Sequence, residues 1–163
     1  MNYLGMKSEE MSKTVDLLND LLANYHVYYQ NLRNFHWNVH GPHFFELHSR
    51  FEELYHDARE AIDSIAERIR TLRSRPLSTL KEYLRRSVIK EPEKVTTDME
   101  MVRTILSNHR VLINKMRYVL GQAAEVGDEG TVDLVSGFLN ALEKKSWMLD
   151  AWTVPQNQEV APN

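Results

Sequence analysis

Histidines and carboxylates that could bind a metal are concentrated between residues 34 and 67. Five of the seven histidines of the chain lie there. If each residue advances a helix by about 100°, His48, Glu52, Asp63 and Glu67 fall within about 100° of one another along one strip. Imidazole nitrogen and carboxylate oxygen are common metal ligands. The strip borders the apolar face of the same helix, so it predicts a metal site half-sheltered from water.

This strip is too long for one metal ion. His48 and Glu67 are separated by roughly 28 Å at 1.5 Å per residue. The pairs His48–Glu52 and Asp63–Glu67 are each one helical turn apart and form two half-sites. If the helix packs antiparallel against a second copy about a two-fold axis near residues 57–58, Glu52 of one copy meets Asp63 of the other in two equal sites. Two small residues are expected near the crossing and would allow close approach: Ala58 and Ala61.

A simpler interpretation of the strip is a solvated helix face, since acids spaced by four residues are common. His36 favours the metal site over that interpretation. It falls on the edge of the apolar stripe of the preceding helix, where a histidine is either a hydrogen-bonded core residue or a ligand. Its place beside His48 and the acids favours a ligand.

Three blocks of sequence resemble the signature of the Dps-type mini-ferritins (DNA protection during starvation) of the ferritin-like superfamily. The blocks are Phe35-His36-Trp37-Asn38, Gly41 to His48, and Asp63 to Arg68. The similarity extends over about residues 8 to 153. It implies an all-α fold, a ferritin-like four-helix bundle with one long crossover that carries a short helix between helices B and C. It also implies a homo-oligomer, a hollow dodecamer.

The resemblance also implies the function and the ligands. The family's two histidines correspond to His36 and His48, its first acid to Glu52, and the acids from the other chain to Asp63 and Glu67. The implied activity is a ferroxidase that oxidises Fe(II), usually with hydrogen peroxide, and stores an Fe(III) mineral, which protects against oxidative damage. Dioxygen as the oxidant stays open. Glu52 departs from the usual aspartate by one methylene group and retains the charge.

Two other functions stay open. A nucleoid-associated DNA-binding protein would use the basic belt, residues 68–90, which holds eight basic residues and one acid in a chain of net charge −3. The N-terminal segment has no lysine cluster for phosphate contacts, so the sequence does not favour DNA binding. A solvated face with salt bridges between subunits is the preferred interpretation of the belt. A single-chain di-iron oxidase would need two Glu-x-x-His motifs, and the chain has only Glu53-x-x-His56.

Acids near the start of the fourth helix have two interpretations. Asp128 and Asp133 suit the positive end of a helix dipole, and that explanation suffices for them. The resemblance implies that this region lines the three-fold pores of the shell, where acids would attract cations. We therefore predict Asp128 and Asp133 as pore-lining residues.

The elements that position these residues follow from apolar spacing and helix breakers. One domain is predicted over 9–153, between flexible tails at 1–8 and 154–163. Helices are expected at about 8–38, 43–73, 77–86, 93–120 and 130–152, with His109 as a core residue. The absence of cysteine excludes disulfides and thiolate metal sites and fits a cytoplasmic protein. No apolar run approaches a membrane span, and no signal peptide is visible.

Overall fold

The computed structural model describes residues 3–155, and the regular secondary structure in that part is entirely helical. The helices are α1 (Ser8–Asn38), α2 (Phe44–Thr71), α3 (Leu80–Arg86), α4 (Asp98–Glu125) and α5 (Glu129–Thr153). The four long helices form a bundle in which α1 packs against α2 and α4, and α4 packs against α5. The short helix α3 lies in the crossover between α2 and α4 and packs against α1. The predicted fold class is therefore confirmed.

The hairpin of α1 and α2 brings the two candidate ligand histidines together. Gly41 has a φ of +95°, a backbone conformation that glycine adopts readily, and the chain reverses there. Phe35 of α1 and Phe51 of α2 are both fully buried, and their ring centroids lie 5.9 Å apart. This aromatic contact fixes the end of the hairpin that carries His36 and His48.

The third long helix starts and ends later than predicted. Pro92 was expected in its first turn, but α4 begins at Asp98. The reason is a capping box, in which Thr97 accepts a hydrogen bond from the backbone of Glu100 and the Glu100 carboxylate bonds back to the Thr97 backbone. The helix also continues through Gly121 to Glu125, and the turn that follows is only three residues long.

The crossover is fixed to α1 by one buried amide. The Oδ1 atom of Asn24 accepts hydrogen bonds at 3.1 Å from the backbone N–H groups of Val88 and Ile89. These bonds satisfy donors that would otherwise be unpaired in the protein interior. The crossover is therefore an ordered part of the bundle.

Predictions about the tails concern residues that are described only in part. In the N-terminal segment, the Tyr3 hydroxyl donates to the backbone carbonyl of Thr71, and the Arg73 guanidinium lies over the Tyr3 ring. The remainder of the two predicted flexible tails, residues 1–2 and 156–163, lies outside the described residues. In residues 3–155, no helix is both long and apolar enough to cross a membrane.

Candidate metal centre

His36 and His48 form a stacked pair at the end of the α1–α2 hairpin. Their ring centroids lie 3.8 Å apart with an interplanar angle of 18°. The Nδ1 atom of each ring lies 2.8 Å from the backbone carbonyl oxygen of the other residue. A carbonyl oxygen can only accept, so each Nδ1 carries a proton and each Nε2 keeps a lone pair. Both Nε2 atoms are thus in the form that binds a metal ion.

The surroundings shelter this pair on one side. His36 is buried, with 7% of its surface exposed, and His48 is half-buried. The Phe44 ring stacks on His48 at 5.0 Å. Apolar rings on one side and solvent on the other make a site that a cation can reach while its ligands stay fixed.

Glu52 lies one helical turn after His48 and is half-buried. Its Oε1 atom is 3.4 Å from the Tyr55 hydroxyl and 3.9 Å from Nε2 of His56. The Tyr55 ring stands edge-on to His36, with centroids 5.2 Å apart and an interplanar angle of 88°. Tyr55 therefore touches two candidate ligands. Burial, and then the negative charge of Glu52, raise the pKa of Tyr55.

The sequence analysis did not identify Tyr55 as a residue of the site. A signal was present, because a tyrosine three residues after an acid lies on the same side of a helix. That signal is weak without the tertiary contact to His36.

Asp63 and Glu67 lie exposed on α2, away from the other three candidates. Glu52 and Asp63 are separated by about 16 Å along the helix axis. Neither Asp63 nor Glu67 has an ion-pair partner within the described part of the chain. Across residues 3–155, no three or more histidine, aspartate or glutamate side chains are close enough to hold one metal ion. One subunit thus brings together the pair His36 and His48, with Glu52 one helical turn after His48 on α2.

Two alanines were expected to allow close approach at the intersubunit crossing. Ala58 and Ala61 are 2% and 3% exposed and belong to the core of the subunit. They therefore offer little surface to a second copy. Ile62 and Ala66 are partly exposed on that helix. The antiparallel arrangement of two copies stays a prediction.

Asp128 does not present a free carboxylate to solvent. It is fully buried and caps α5 by accepting hydrogen bonds from the Thr131 backbone N–H at 3.1 Å and the Thr131 hydroxyl at 2.6 Å. It also pairs with the Arg68 guanidinium. This corrects the expectation that Asp128 lines a pore, because its oxygens already have partners. Asp133 is exposed and borders a shallow surface hollow together with Glu67.

Most cations of the basic belt have partners within the chain. Arg86 pairs with Asp16 at 2.8 Å and with Asp20 at 3.3 Å, and Arg75 lies 3.6 Å from Glu82. The other contacts are to polar and aromatic groups or to Asp128: Arg70 with the Ser74 carbonyl, Lys90 with the Ser87 carbonyl, Arg73 with Tyr3, and Arg68 with Asp128. These arginines therefore hold the crossover and the end of α2 in place.

The two remaining histidine predictions have different outcomes. His109 is 1% exposed; its Nε2 lies 2.8 Å from the Tyr28 hydroxyl and its Nδ1 2.8 Å from the Ser146 hydroxyl. It is the core residue that was predicted. In the Glu53-x-x-His56 motif both side chains are exposed, and Glu53 pairs with Arg50 at 2.8 Å. Within the described residues, this motif is not part of a group of three or more potential metal ligands.

The fold and the comparisons with known proteins agree on the family. The sequence model of the ferritin-like domain family matches residues 15–154, so the chain belongs to the ferritin-like family. It is 39% identical over 152 residues to a "DNA protection during starvation protein" of Porphyromonas gingivalis, covering 93% of this chain and 96% of the relative. A protein of the same name from Brevibacillus brevis is also 39% identical, with 90% and 99% covered.

A solved structure places the chain more narrowly. The Dps protein of Vibrio cholerae O1, described as a member of a broad superfamily of ferritin-like diiron-carboxylate proteins, superposes with a TM-score of 0.91. It is 41% identical, and the match covers 93% of this chain and 96% of that one. The chain is therefore a member of the Dps group, and the family predicted from the three sequence blocks is confirmed.

Proposed function

We propose that this chain is a subunit of an iron-sequestering ferroxidase shell. Fe(II) binds between His36, His48 and Glu52 of one copy and Asp63 and Glu67 of a second copy. Two such sites arise at each two-fold contact. The oxidised iron collects as an Fe(III) mineral inside a hollow dodecamer. The observation that carries this proposal is the reciprocal histidine pair, whose two hydrogen bonds to carbonyl oxygens leave both Nε2 atoms free.

The chemistry of the ligands suits this reaction. Imidazole nitrogen and carboxylate oxygen bind Fe(II), and the carboxylates stabilise Fe(III) more strongly because of its greater charge. Hydrogen peroxide is the oxidant in this proposal. Two Fe(II) ions each give up one electron, the O–O bond breaks, and two protons complete two water molecules. Because both electrons go to one peroxide molecule, no hydroxyl radical is released.

Cations reach the interior along acidic surface in this proposal. Asp133 is exposed near the start of α5 and shares a hollow with Glu67, so its carboxylate is available to line a pore. Asp128 is not part of this path, since its carboxylate is buried against Arg68.

The structure gives less support to the two other functions. A single-chain di-iron oxidase needs its ligands in one bundle, and residues 3–155 of one subunit contain no group of three or more such ligands. A nucleoid protein needs free cations for phosphate, and most belt arginines already contact groups of the same chain. A gel shift that weakens steeply with salt would nevertheless favour DNA binding.

The proposal is tested first by the iron retained per chain. The protein is loaded anaerobically with Fe(II), treated with peroxide or with air in parallel, and separated by size with iron and protein detected together. We expect iron far above the roughly two ions that a di-metal centre could hold, eluting with a large assembly, and faster oxidation with peroxide. Iron at or below that level on a small species would instead favour the single-chain oxidase.

A double variant tests the site itself. Asp63→Asn with Glu67→Gln removes both negative charges contributed by the second copy, so we expect the initial oxidation rate to fall about 100-fold, in the range seen when metal-site residues are lost. The subunit should fold normally, because both side chains are exposed and have no ion pair within the described residues. The matched control is Glu53→Gln with Glu60→Gln, which removes two exposed charges of the same helix. An unchanged rate in the first variant would rule out the assigned site.

A further inference from the structure

Tyr55 is joined to the proposed iron site by its hydroxyl and by its ring. The hydroxyl lies 3.4 Å from Oε1 of Glu52, and the ring stands edge-on to His36. We infer that Tyr55 is a positioning residue, whose hydroxyl holds Oε1 of Glu52 and leaves Oε2 free for the cation bound by the two histidines. This inference rests on the proposed function, since it concerns the same iron site.

The direction of this hydrogen bond follows from the groups. A carboxylate can only accept, so the tyrosine hydroxyl donates. The separation is longer than the usual O–H···O distance of about 2.7–2.8 Å, and such contacts commonly tighten when the site is filled. The bond occupies one carboxylate oxygen only. The second oxygen of Glu52 is therefore available to a cation.

The position of the hydroxyl is fixed by the ring that carries it. The Tyr55 ring has one perpendicular contact with His36, at 5.2 Å, and another with Tyr29, at 6.0 Å and 89°. Because the Tyr55 ring is held between two aromatic neighbours, its hydroxyl can fix the position of the Glu52 carboxylate. A ligand side chain that is already held by such a supporting residue loses less conformational freedom when the metal binds.

This arrangement depends on the length of the glutamate side chain at position 52. An aspartate would withdraw its oxygens by about one C–C bond, roughly 1.5 Å, and move them beyond hydrogen-bonding reach of Tyr55. His56 offers no equivalent contact, because its Nε2 is 3.9 Å from Glu52 and its side chain is half exposed. Glu52 and Tyr55 therefore act as a pair, and an aspartate at position 52 should not need the tyrosine.

A double-mutant cycle tests this pairing. The proteins are the wild type, Tyr55→Phe, Glu52→Asp and the double variant, with Tyr29→Phe as the control that removes a neighbouring hydroxyl. Phenylalanine keeps both ring contacts, so the fold should be retained. We expect Tyr55→Phe to raise the Fe(II) concentration at half-maximal rate about 3- to 10-fold, the value of one hydrogen bond. The maximal rate should change less than about twofold, and Tyr29→Phe should match the wild type.

The cycle also gives the outcomes that would overturn the inference. When Glu52→Asp is already present, adding Tyr55→Phe should change the half-maximal concentration less than about twofold. If Tyr55→Phe has the same effect with glutamate and with aspartate at position 52, Tyr55 does not act through Glu52. The same conclusion follows if Tyr55→Phe has no effect in the protein that retains Glu52. The visible absorption of Co(II) bound anaerobically gives a readout independent of oxidation, because it responds to ligand geometry; it should change in Tyr55→Phe and not in Tyr29→Phe.

The failure of this inference can be distinguished from the failure of the proposed function. If Asp63→Asn with Glu67→Gln loses fast oxidation while Tyr55→Phe behaves like wild type, the iron site stands and only the role of Tyr55 is rejected. If the acid double variant oxidises iron normally, the assigned site itself is rejected.

Discussion

His36 and His109 are both buried histidines of a helix bundle, but they use their ring nitrogens differently. His109 has a partner at each nitrogen, Tyr28 at Nε2 and Ser146 at Nδ1. Because Ser146 donates its own hydroxyl proton to the Leu142 carbonyl at 2.7 Å, it accepts from Nδ1, and Nε2 of His109 accepts from Tyr28. Within residues 3–155, the ring of His36 has one hydrogen bond, from Nδ1 to the backbone carbonyl of His48.

This difference separates a histidine that stabilises the fold from one that can bind a metal. Burial alone does not, since the two residues are 7% and 1% exposed. What differs is whether a lone pair remains free and faces other ligands. Around His36 the neighbours are His48 and, one turn further, Glu52. Around His109 the charged neighbour is Lys145, which opposes a bound cation.

The largest effect is expected when His36 is removed. His36→Ala eliminates one free Nε2, and we expect the initial rate of Fe(II) oxidation to fall about 100-fold. The stability of the subunit should fall by about 2 kcal/mol, because the change removes one hydrogen bond and a buried ring. His40→Ala, which removes an exposed histidine of the same hairpin, is the control and should leave the rate unchanged. A normal oxidation rate for His36→Ala would show that the free Nε2 of His36 does not bind the metal ion, and the contrast with His109 would be rejected.

His109→Ala should reduce the stability of the subunit without reducing its rate of iron oxidation. It leaves the Tyr28 hydroxyl without its partner and opens a cavity in the core, so we expect a loss of about 3 kcal/mol in the free energy of unfolding. The rate of iron oxidation by the folded protein should not change. Urea unfolding at one fixed protein concentration measures the first quantity, because assembly makes stability depend on concentration. A loss of oxidation without a loss of stability would mean that His109 belongs to the metal chemistry.

Acid should act on the stability of the core through His109. Burial, and then the charge of Lys145, lower the pKa of His109 from 6.5 to about 3. The unfolded chain binds this proton near pH 6.5 and the folded chain only near pH 3, so the contribution of neutral His109 is complete above pH 6.5 and is lost as the pH falls. The slope should be about 1.4 kcal/mol per pH unit within that window.

Unfolding midpoints at about pH 7, 6, 5 and 4 test this prediction, with His109→Gln as the matched variant. In His109→Gln the slope of stability against pH should be smaller by about 1.4 kcal/mol per pH unit, which corresponds to one proton. Some pH dependence should remain, because burial also lowers the pKa of His26 to about 4. Identical slopes in the two proteins would show that His109 does not titrate on unfolding.

The sequence was sufficient for the order and type of the helices, because these depend on local spacing. Apolar periodicity defined α1 and α5 to within about a residue, and the three motif blocks identified the family. The relation between His36 and His48 could not be derived this way, since their two hydrogen bonds depend on how α1 and α2 pack. The same limit applied to Asp128, whose carboxylate looked available until the structure placed Arg68 beside it.

Two other differences have physical causes. At the start of α4, Pro92 was given more weight than the Thr97–Glu100 capping box, which satisfies the free N–H groups of the helix end. Ala58 and Ala61 were expected near the intersubunit crossing because they are small, whereas both side chains are buried in the core of the subunit. Small size is compatible with close approach either inside a subunit or between subunits.

The smallest expected effect comes from making His109 resemble His36. Tyr28→Phe removes the donor to Nε2 of His109 and leaves its lone pair free, at a cost of about 1–1.5 kcal/mol in the free energy of unfolding. If a free nitrogen were enough for a ligand, the variant would bind extra Co(II) per chain in an anaerobic titration. We expect no additional Co(II), because His109 stays enclosed and the charge of Lys145 opposes a bound cation. Extra Co(II) in this variant would mean that a free nitrogen is sufficient for binding at this position.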